Sequence, residues 1–295
     1  MTEDRQVEDG QDEEQQGESQ INWFKRMMLV KYRTMKGLTQ QRVSVAVYKS
    51  KDTVRAYERA RSPIPAGIIT DLIEVLDIPE DVADYLRIIA PLKGNEPPIE
   101  ADGRFNALYL SLCEQYMGQI FEWAPTLFPG ALQTRAYHDG PSREAAINPT
   151  DEWMESGRIF KVERNTTLVG RLDRPQIHFL LGEPAFFFLS KTPRKLQIEQ
   201  LDYLSAHDEL PGWEIRVLTE PSFNGMSTFS CFEPGPQEKY PDVGPKVVYT
   251  ELPHSSWVFQ DEDRIAFYDG WRHAKWPSSI RFKEYRDAYW RNWLA

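Results

Sequence analysis

The chain has 295 residues, a net charge of −10 and two cysteines. That excludes a disulfide-stapled secreted scaffold and leads us to expect about two domains in a reducing compartment. Hydrophobic residues make up 41% and aromatics 13% of the chain, yet no run approaches the ~18–20 apolar residues of a membrane span. No apolar run follows a basic start, so no signal peptide is expected and a soluble cytoplasmic protein is.

Residues 1–22 carry eight acids against one Arg, many Gln and almost nothing apolar before Ile21. Such a stretch buries too little surface to offset ordering, so a disordered acidic tail is expected. It reads either as a solubilising segment or as one that competes with phosphates at the neighbouring basic residues. Trp23 to Lys36 predicts a first helix, with Phe24, Met27, Met28 and Val30 on its apolar face. Gly37 to Pro63 holds two short helical patterns joined by a tight connection, the first opening at Thr39-Gln40, the second at Ser50. Val43, Val47, Val54 and Tyr57 fall where two such helices bury against each other. The Ser50 hydroxyl can accept from the N–H of Asp52 or Thr53 and start the second helix. Residues 23–65 hold eleven Lys or Arg against only Asp52 and Glu58, a local +9 inside an acidic chain. A basic island of that kind is an electrostatic footprint for phosphate.

Pro63 and Pro65 end this pattern, and Ile68–Leu76 and Val82–Ile89 each repeat apolar residues at helical spacing. Five helices are therefore expected in a domain over 23–90. The series Leu38, Thr39, Gln40, Val43, Val47, Ser50, Thr53, Val54, Tyr57, Glu58, Arg59 resembles the Xre or lambda-repressor type of helix-turn-helix. Three positions depart from it: Tyr48 replaces the turn Gly, Ser44 takes the usual small packing position, and Ala60 replaces the Gly after Glu-Arg. The resemblance implies sequence-specific binding of double-stranded DNA, by a homodimer on two-fold related half-sites. Position on the helices then assigns the contacts. Gln40 would meet a phosphate; Lys51, Asp52 and Arg55 would read base edges from a helix capped by Ser50. Thr53 would touch phosphate or a thymine methyl, and Lys49, Arg59 and Arg61 would grip the backbone.

Pro91 to Gly103 is a Pro/Gly/acidic linker, and residues 66–295 carry −12, so the second domain, 104–295, is not expected to bind nucleic acid itself. It reads as α+β with a mostly antiparallel sheet and helices over one face. Strand-like runs are Ile177–Leu181, Trp213–Leu218, Thr228–Phe232, Lys246–Glu251 and Ser256–Gln260, with Pro-Gly or Gly-Pro turns at 211–212, 234–236 and 244–245. Helices are expected over 104–120 and Leu196–Ala206, and as one or two terminal helices from Ile265 and Ile280 onward. Within Ile120–Gly140, Pro129, Gly130, Leu132, Gln133, Thr134 and Tyr137 form an x-P-G-x-L-Q-T-x-x-Y core. Arg158, Val162 and Arg164 on a helix, IHFLLGEPAFF, QLDYL, WEIRVL and VVYTEL follow in order. This arrangement resembles the actinobacterial WhiJ-like regulators, which fuse an Xre-type helix-turn-helix to a C-terminal domain of poorly defined function. Ala131 and Phe128 depart from their usual Leu and Val or Ile. The resemblance implies an antitoxin-like regulator, often encoded beside a small companion protein.

Chemistry-bearing patterns are sparse. His138, His178, His207, His254 and His273 make no metal spacing, and no nucleophile elbow, P-loop or dinucleotide fingerprint occurs. Glu183 and Glu251 are the one candidate acid–base pair, more simply read as rim or structural residues. The aromatics Phe186, Phe187, Phe188, Trp213, Trp257, Trp271, Trp276, Trp290 and Trp293 read either as core or as the walls of an effector pocket. Gln133, Arg135 and Arg158 would be its polar groups. The expectation is a DNA-binding transcriptional regulator, without cofactor, metal or enzymatic activity, whose C-terminal domain senses a small effector or a companion protein. The competing class is an antitoxin-like protein-interaction module that has lost DNA binding; an enzyme in 104–295 is a third.

Overall fold

The first helix, α1 (Gln20–Met35), belongs to both halves of the molecule in the computed structural model. The structure describes residues 18–92, 100–101, 103–146, 148–220, 227–235, 243–252 and 255–289. The expectations for 1–17, for most of the 91–103 linker, and for His254, Trp290 and Trp293 lie outside these residues. α1 starts at Gln20, three residues ahead of its expected start, because Ser19 caps it and accepts from the Asn22 N–H at 3.3 Å. From Gln20 to Leu29 it is buried nearly all round, Trp23 and Phe24 completely. An amphipathic surface helix hides one stripe; a helix hidden on every side lies between two bodies.

One of those bodies is the helical N-terminal region. After α1 come α2 (Gln40–Ala46) and α3 (Lys51–Glu58), then a 3-10 turn at Ala66–Ile68 leading into α4 (Ile69–Leu76), and α5 (Glu80–Ile89). The other body begins with β1 (Glu100–Ala101) and α6 (Gly103–Tyr116). The Tyr109 ring of α6 stacks on Phe24 and meets Trp23 edge-on, each at 5.9 Å.

The expected helix over 104–120 stops at Tyr116 and gives way to β2 (Gln119–Ala124), a strand the sequence reading lacks. One-turn helices α7 (Arg135–Tyr137) and α8 (Arg143–Ala145) flank a π-turn, and α9 (Asp151–Val169) crosses to β3 (Gln176–Gly182). α10 (Glu183–Ser190) and α11 (Arg194–Asp208) lead to β4 (Trp213–Leu218). β5 (Phe229–Glu233), β6 (Val247–Glu251) and β7 (Ser256–Phe259) form a meander. α12 (Glu262–Lys275), β8 (Ile280–Arg281) and α13 (Phe282–Tyr289) complete the described chain.

The eight strands make one sheet in the order β1-β7-β6-β5-β2-β3-β4-β8. It is mixed: β2 with β3 and β3 with β4 are parallel, the other pairs antiparallel. The crossovers through α9 and through α10–α11 account for this, since parallel neighbours need a long return. The expectation of helices over one face is also corrected. α12 sets Ile265, Tyr268 and Trp271 against Phe121, Trp123, Leu180 and Phe229 on one face. α1, α6, α10, α11 and α13 pack on the other, within a single core that runs on into the N-terminal helices. Cys113 and Cys231 are free and buried, as expected. No helix among the described residues is long and apolar enough to cross a membrane.

The sheet holds α1 by polar and steric contacts. The Gln20 backbone N–H donates to the Gln260 amide oxygen at 2.8 Å, its side chain donates to the Val258 carbonyl at 3.2 Å, and the Trp23 ring lies on Gly244. A Cβ on Gly244 would fall 2.4 Å from that ring. Gly244→Ala should therefore destabilise by about 1–3 kcal/mol through overpacking. Equilibrium denaturation checks this; an unchanged midpoint would mean the Trp23 seat is loose.

Candidate nucleic-acid interface

The scaffold of the helix-turn-helix is fully formed. Thr39 caps α2, accepting from the Arg42 N–H at 3.2 Å, and Ser50 caps α3, accepting from Thr53 at 3.0 Å. Val43, Val47, Val54 and Tyr57 are all buried between the two helices and α1. Ser44 is buried as well, and its hydroxyl donates to the Gln41 carbonyl. Tyr48 and Ala60 both take φ of +54°. These are the two positions where the Xre pattern carries Gly, so the chain keeps the left-handed turns and bears their strain instead of reshaping the motif.

Glu58 knits the domain together. Its carboxylate takes both prongs of the Arg33 guanidinium, and the Gln40 side-chain N–H donates to it at 2.7 Å. Gln40, expected at a phosphate, thus spends one amide hydrogen internally. The basic island also divides. Lys25 and Arg26 are buried, Lys25 donating to the Ile64 carbonyl and Arg26 forked onto Glu18. Burial holds the Lys25 amine below its ordinary range. Arg33 serves Glu58, Lys36 pairs with Asp77, and Lys31 lies over the Tyr32 ring. Six cations remain: Arg42, Lys49, Lys51, Arg55, Arg59 and Arg61 are exposed, and none has an ion-pair partner among the described residues. They surround α3, with Asp52 exposed and Thr53 half-buried on its first turn, the Thr53 and Ser50 hydroxyls 2.8 Å apart. Local +9 thus overstates the outward charge, since nearly half of these cations hold the fold.

The x-P-G-x-L-Q-T-x-x-Y segment is an internal joint. Gly130 lets α9 lie close: a Cβ there would meet Arg164 Nη1 at 2.9 Å and Lys161 Cγ at 3.2 Å. Gln133 donates to the Phe128 carbonyl at 2.6 Å and accepts from Ser142 and Lys161. Thr134 caps α7, and Gln200 of α11, fully buried, bonds the Thr134 N–H and the Leu132 carbonyl. The Tyr137 ring packs at a tilt against Phe128, ring centres 4.9 Å apart. His138 donates from Nε2 to the Met154 carbonyl and accepts the Lys161 ammonium at Nδ1, 2.9 Å away. Burial, and then the nearby Arg164, pull Lys161 down to about 8.

Deeper in, Arg164 forks onto Glu114 at 2.5–3.0 Å and stands 3.8 Å from Glu122. Burial pushes Glu122 up from 4.5 to about 7; Arg164 opposes the shift, while Glu114 and Glu251 add to it. The expected effector groups do not converge. Arg135 pairs outward with Asp139, Arg158 with Glu155, and Gln133 is spent on the joint. Most of the aromatics are core: Phe186 packs among Phe128, Phe282 and Tyr285, and Trp271 on Trp123, while Phe187 and Phe188 stay half-exposed. A shallow depression of ≈ 110 Å³ beside Leu168, Pro175, Leu210 and Trp213 touches none of the three proposed polar groups. Glu183 opens α10 directly after β3 and Glu251 ends β6, strands three spacings or roughly 14 Å apart, too far for an acid–base pair. His178 stacks on Trp276, and His207 bonds Asn165 and the Tyr203 carbonyl. No cluster of three or more potential metal ligands occurs among the described residues.

The fold places a helix-turn-helix behind a charged face, and a helix-turn-helix family profile matches residues 29–82. Residues 109–284 match a second family, described as a domain of unknown function, DUF5753. That match spans more than half of the chain, and the protein belongs to this family. No curated protein matches it. Among solved structures, one that is similar is titled as the structure of TrmBL2, an archaeal chromatin protein, showing a novel mode of DNA binding. It is 12% identical over 74% of this chain and 72% of that one, with a TM-score of 0.30. So slight a likeness bears on neither fold nor function.

Two outcomes follow from this geometry. Tyr48→Gly should raise stability by up to about 1 kcal/mol by relieving the left-handed turn; a loss in thermal denaturation would show that Tyr48 is not strained. Glu122 has a folded pKa raised above its unfolded one, so its contribution is full below about 4.5 and is lost as pH rises through about 7. His138, His178 and His207 are shifted down by burial and act in the opposite sense. The difference between Glu122→Gln and wild type isolates the carboxylate. It should grow in favour of the variant by about 1–3 kcal/mol between pH 4.5 and 8. A difference independent of pH would refute the shift.

Proposed function

We propose that this protein is a sequence-specific DNA-binding transcriptional regulator of the Xre type, acting as a cytoplasmic homodimer. The observation that carries the reading is the set of six exposed, unpaired cations around a well-capped α3. Lys51, Asp52 and Arg55 stand on the solvent side of its first turns, suited to guanine for the cations and to a cytosine amino group for Asp52. Thr53 takes a phosphate or a thymine methyl. Lys49, Arg59 and Arg61 bind backbone phosphates without reading sequence. Gln40 meets a phosphate with its second amide hydrogen, its angle set by Glu58.

The C-terminal domain is the non-catalytic regulatory half, answering to a small effector or a companion protein. Its ordered motifs support kinship with the WhiJ-like, antitoxin-like regulators. A second reading has one observation in its favour: Tyr48 and Val45 are 89% and 66% exposed, an apolar pair open to a protein partner. In that reading the chain is an antitoxin-like interaction module with weak or no DNA binding.

Selection from a random duplex pool at two salt concentrations separates the two. A two-fold motif with half-sites about one helical turn (~34 Å) apart, lost steeply with salt, supports the regulator. No enrichment favours the module. Within the regulator reading, Arg55→Ala should relax preference at one base position, worth about 1–3 kcal/mol. Arg61→Ala should weaken all duplexes alike and lower the salt slope by about one. Swapped effects would overturn the assignment.

A further inference from the structure

We propose that α9 is the surface through which two copies of this chain pair, side by side and parallel, about a two-fold axis. This contact supplies the homodimer proposed above and rests on that part of the reading alone. One face of α9 covers α6 and the turn at Gly130–Leu132, and there Met154, Arg164 and Leu168 are buried. Glu155, Ile159, Val162, Thr166 and Val169 are all exposed, and they follow one another at steps of four, three, four and three residues. At about 100° per residue they form one stripe, roughly 140° round the axis from the buried face. Alternating steps of three and four make the heptad seam of a helix that packs along a second helix. Ile159 and Thr166 take its a positions; Glu155, Val162 and Val169 take its d positions. Leu172, almost wholly exposed just beyond the helix, extends the apolar strip. The other exposed large apolar residues among those described stand singly or in pairs, as Phe187 and Phe188 do, and scattered exposure of that kind needs no partner.

Charge selects the occupant and its direction. Arg158 flanks the seam at a g position, and Glu163, five residues on, takes the next e position. In a parallel pair each g residue faces the e residue of the second copy's following heptad. Arg158 of each copy then meets Glu163 of the other, and the two-fold axis makes both pairs at once. An antiparallel pair with full overlap of the seams sets Arg158 opposite Asn165 and Glu163 opposite its own copy, and makes neither bond. Both groups have capacity to spare. The contact of Arg158 with Glu155 uses Nε, at 2.7 Å, and Nη2, leaving Nη1. Glu163 has no ion-pair partner among the described residues. The seam runs about 21 Å, an interface small enough for a dimer that forms and parts readily. Two half-sites on one duplex would hold such a dimer together.

Sedimentation of the full-length chain over a concentration series tests the surface. The wild type should show a reversible dimer. Val162→Glu, at a side chain already 53% exposed, should keep the thermal midpoint and raise the dimer dissociation constant by about tenfold or more. Arg158→Glu and Glu163→Arg should each weaken the dimer roughly two- to tenfold, and the double variant should recover most of that loss. Under mild oxidation Val162→Cys and Val169→Cys should each give disulfide-linked dimers, because both d positions face themselves across a parallel seam. Cys113 and Cys231 are buried and do not compete. Linkage at 162 alone means an antiparallel seam and overturns the charge pairing. Linkage at neither position, or an unchanged dimer in Val162→Glu, overturns the surface and leaves the homodimer standing. A wild type that stays monomeric throughout removes the homodimer and the seam together, while duplex selection still decides DNA binding.

Discussion

Trp23 and Phe24 give this protein one interior where its sequence suggests two. Their rings lie between the helical N-terminal region and the sheet, against Tyr109, Tyr85 and the bare backbone of Gly244. Aromatic side chains of this size bring the largest apolar areas a core can hold, and edge-on and stacked contacts add direction to that burial. Gln20 completes the seat with hydrogen bonds to Gln260 and Val258. Whatever α3 does outside, its orientation is fixed by a helix that the C-terminal domain also owns.

The same economy governs charge. Between Trp23 and Pro65 some cations hold an internal partner and six have no ion pair among the described residues, and the two sets differ in place. Arg26, Arg33 and Arg164 are half-buried or buried and forked onto Glu18, Glu58 and Glu114. Removing one partner of such a pair is costly because the other stays desolvated. The six free cations sit where solvent reaches them and where a phosphate pays no such penalty.

Much of the helical region was legible because its determinants are local. Caps at Thr39 and Ser50, the spacing of Val43, Val47, Val54 and Tyr57, and the stops at Pro63 and Pro65 each act within a few residues. The sheet was less so. β3 to β7 announced themselves through β-branched and aromatic runs, whereas β2, with its buried Glu122 and both faces covered, shows no alternation and reads as the tail of a helix. Helices on both faces follow from the parallel pairs and could not be read without them. The PGALQT-type core was visible as a pattern, yet its purpose depends on Lys161 and Gln200, partners 28 to 68 residues away along the chain. Charge was legible in amount but not in use. Nothing local marks Lys25 or Arg26 as interior.

Because α1 is shared, the protein has no loose hinge between α3 and its sheet at that point. In the homodimer proposed above, the separation of the two α3 helices would then be a fixed length set by how the two copies meet. Such a pair behaves as a caliper. It tolerates changes of sequence within a half-site far better than one added base pair between half-sites, which would turn the second groove about 34° out of register.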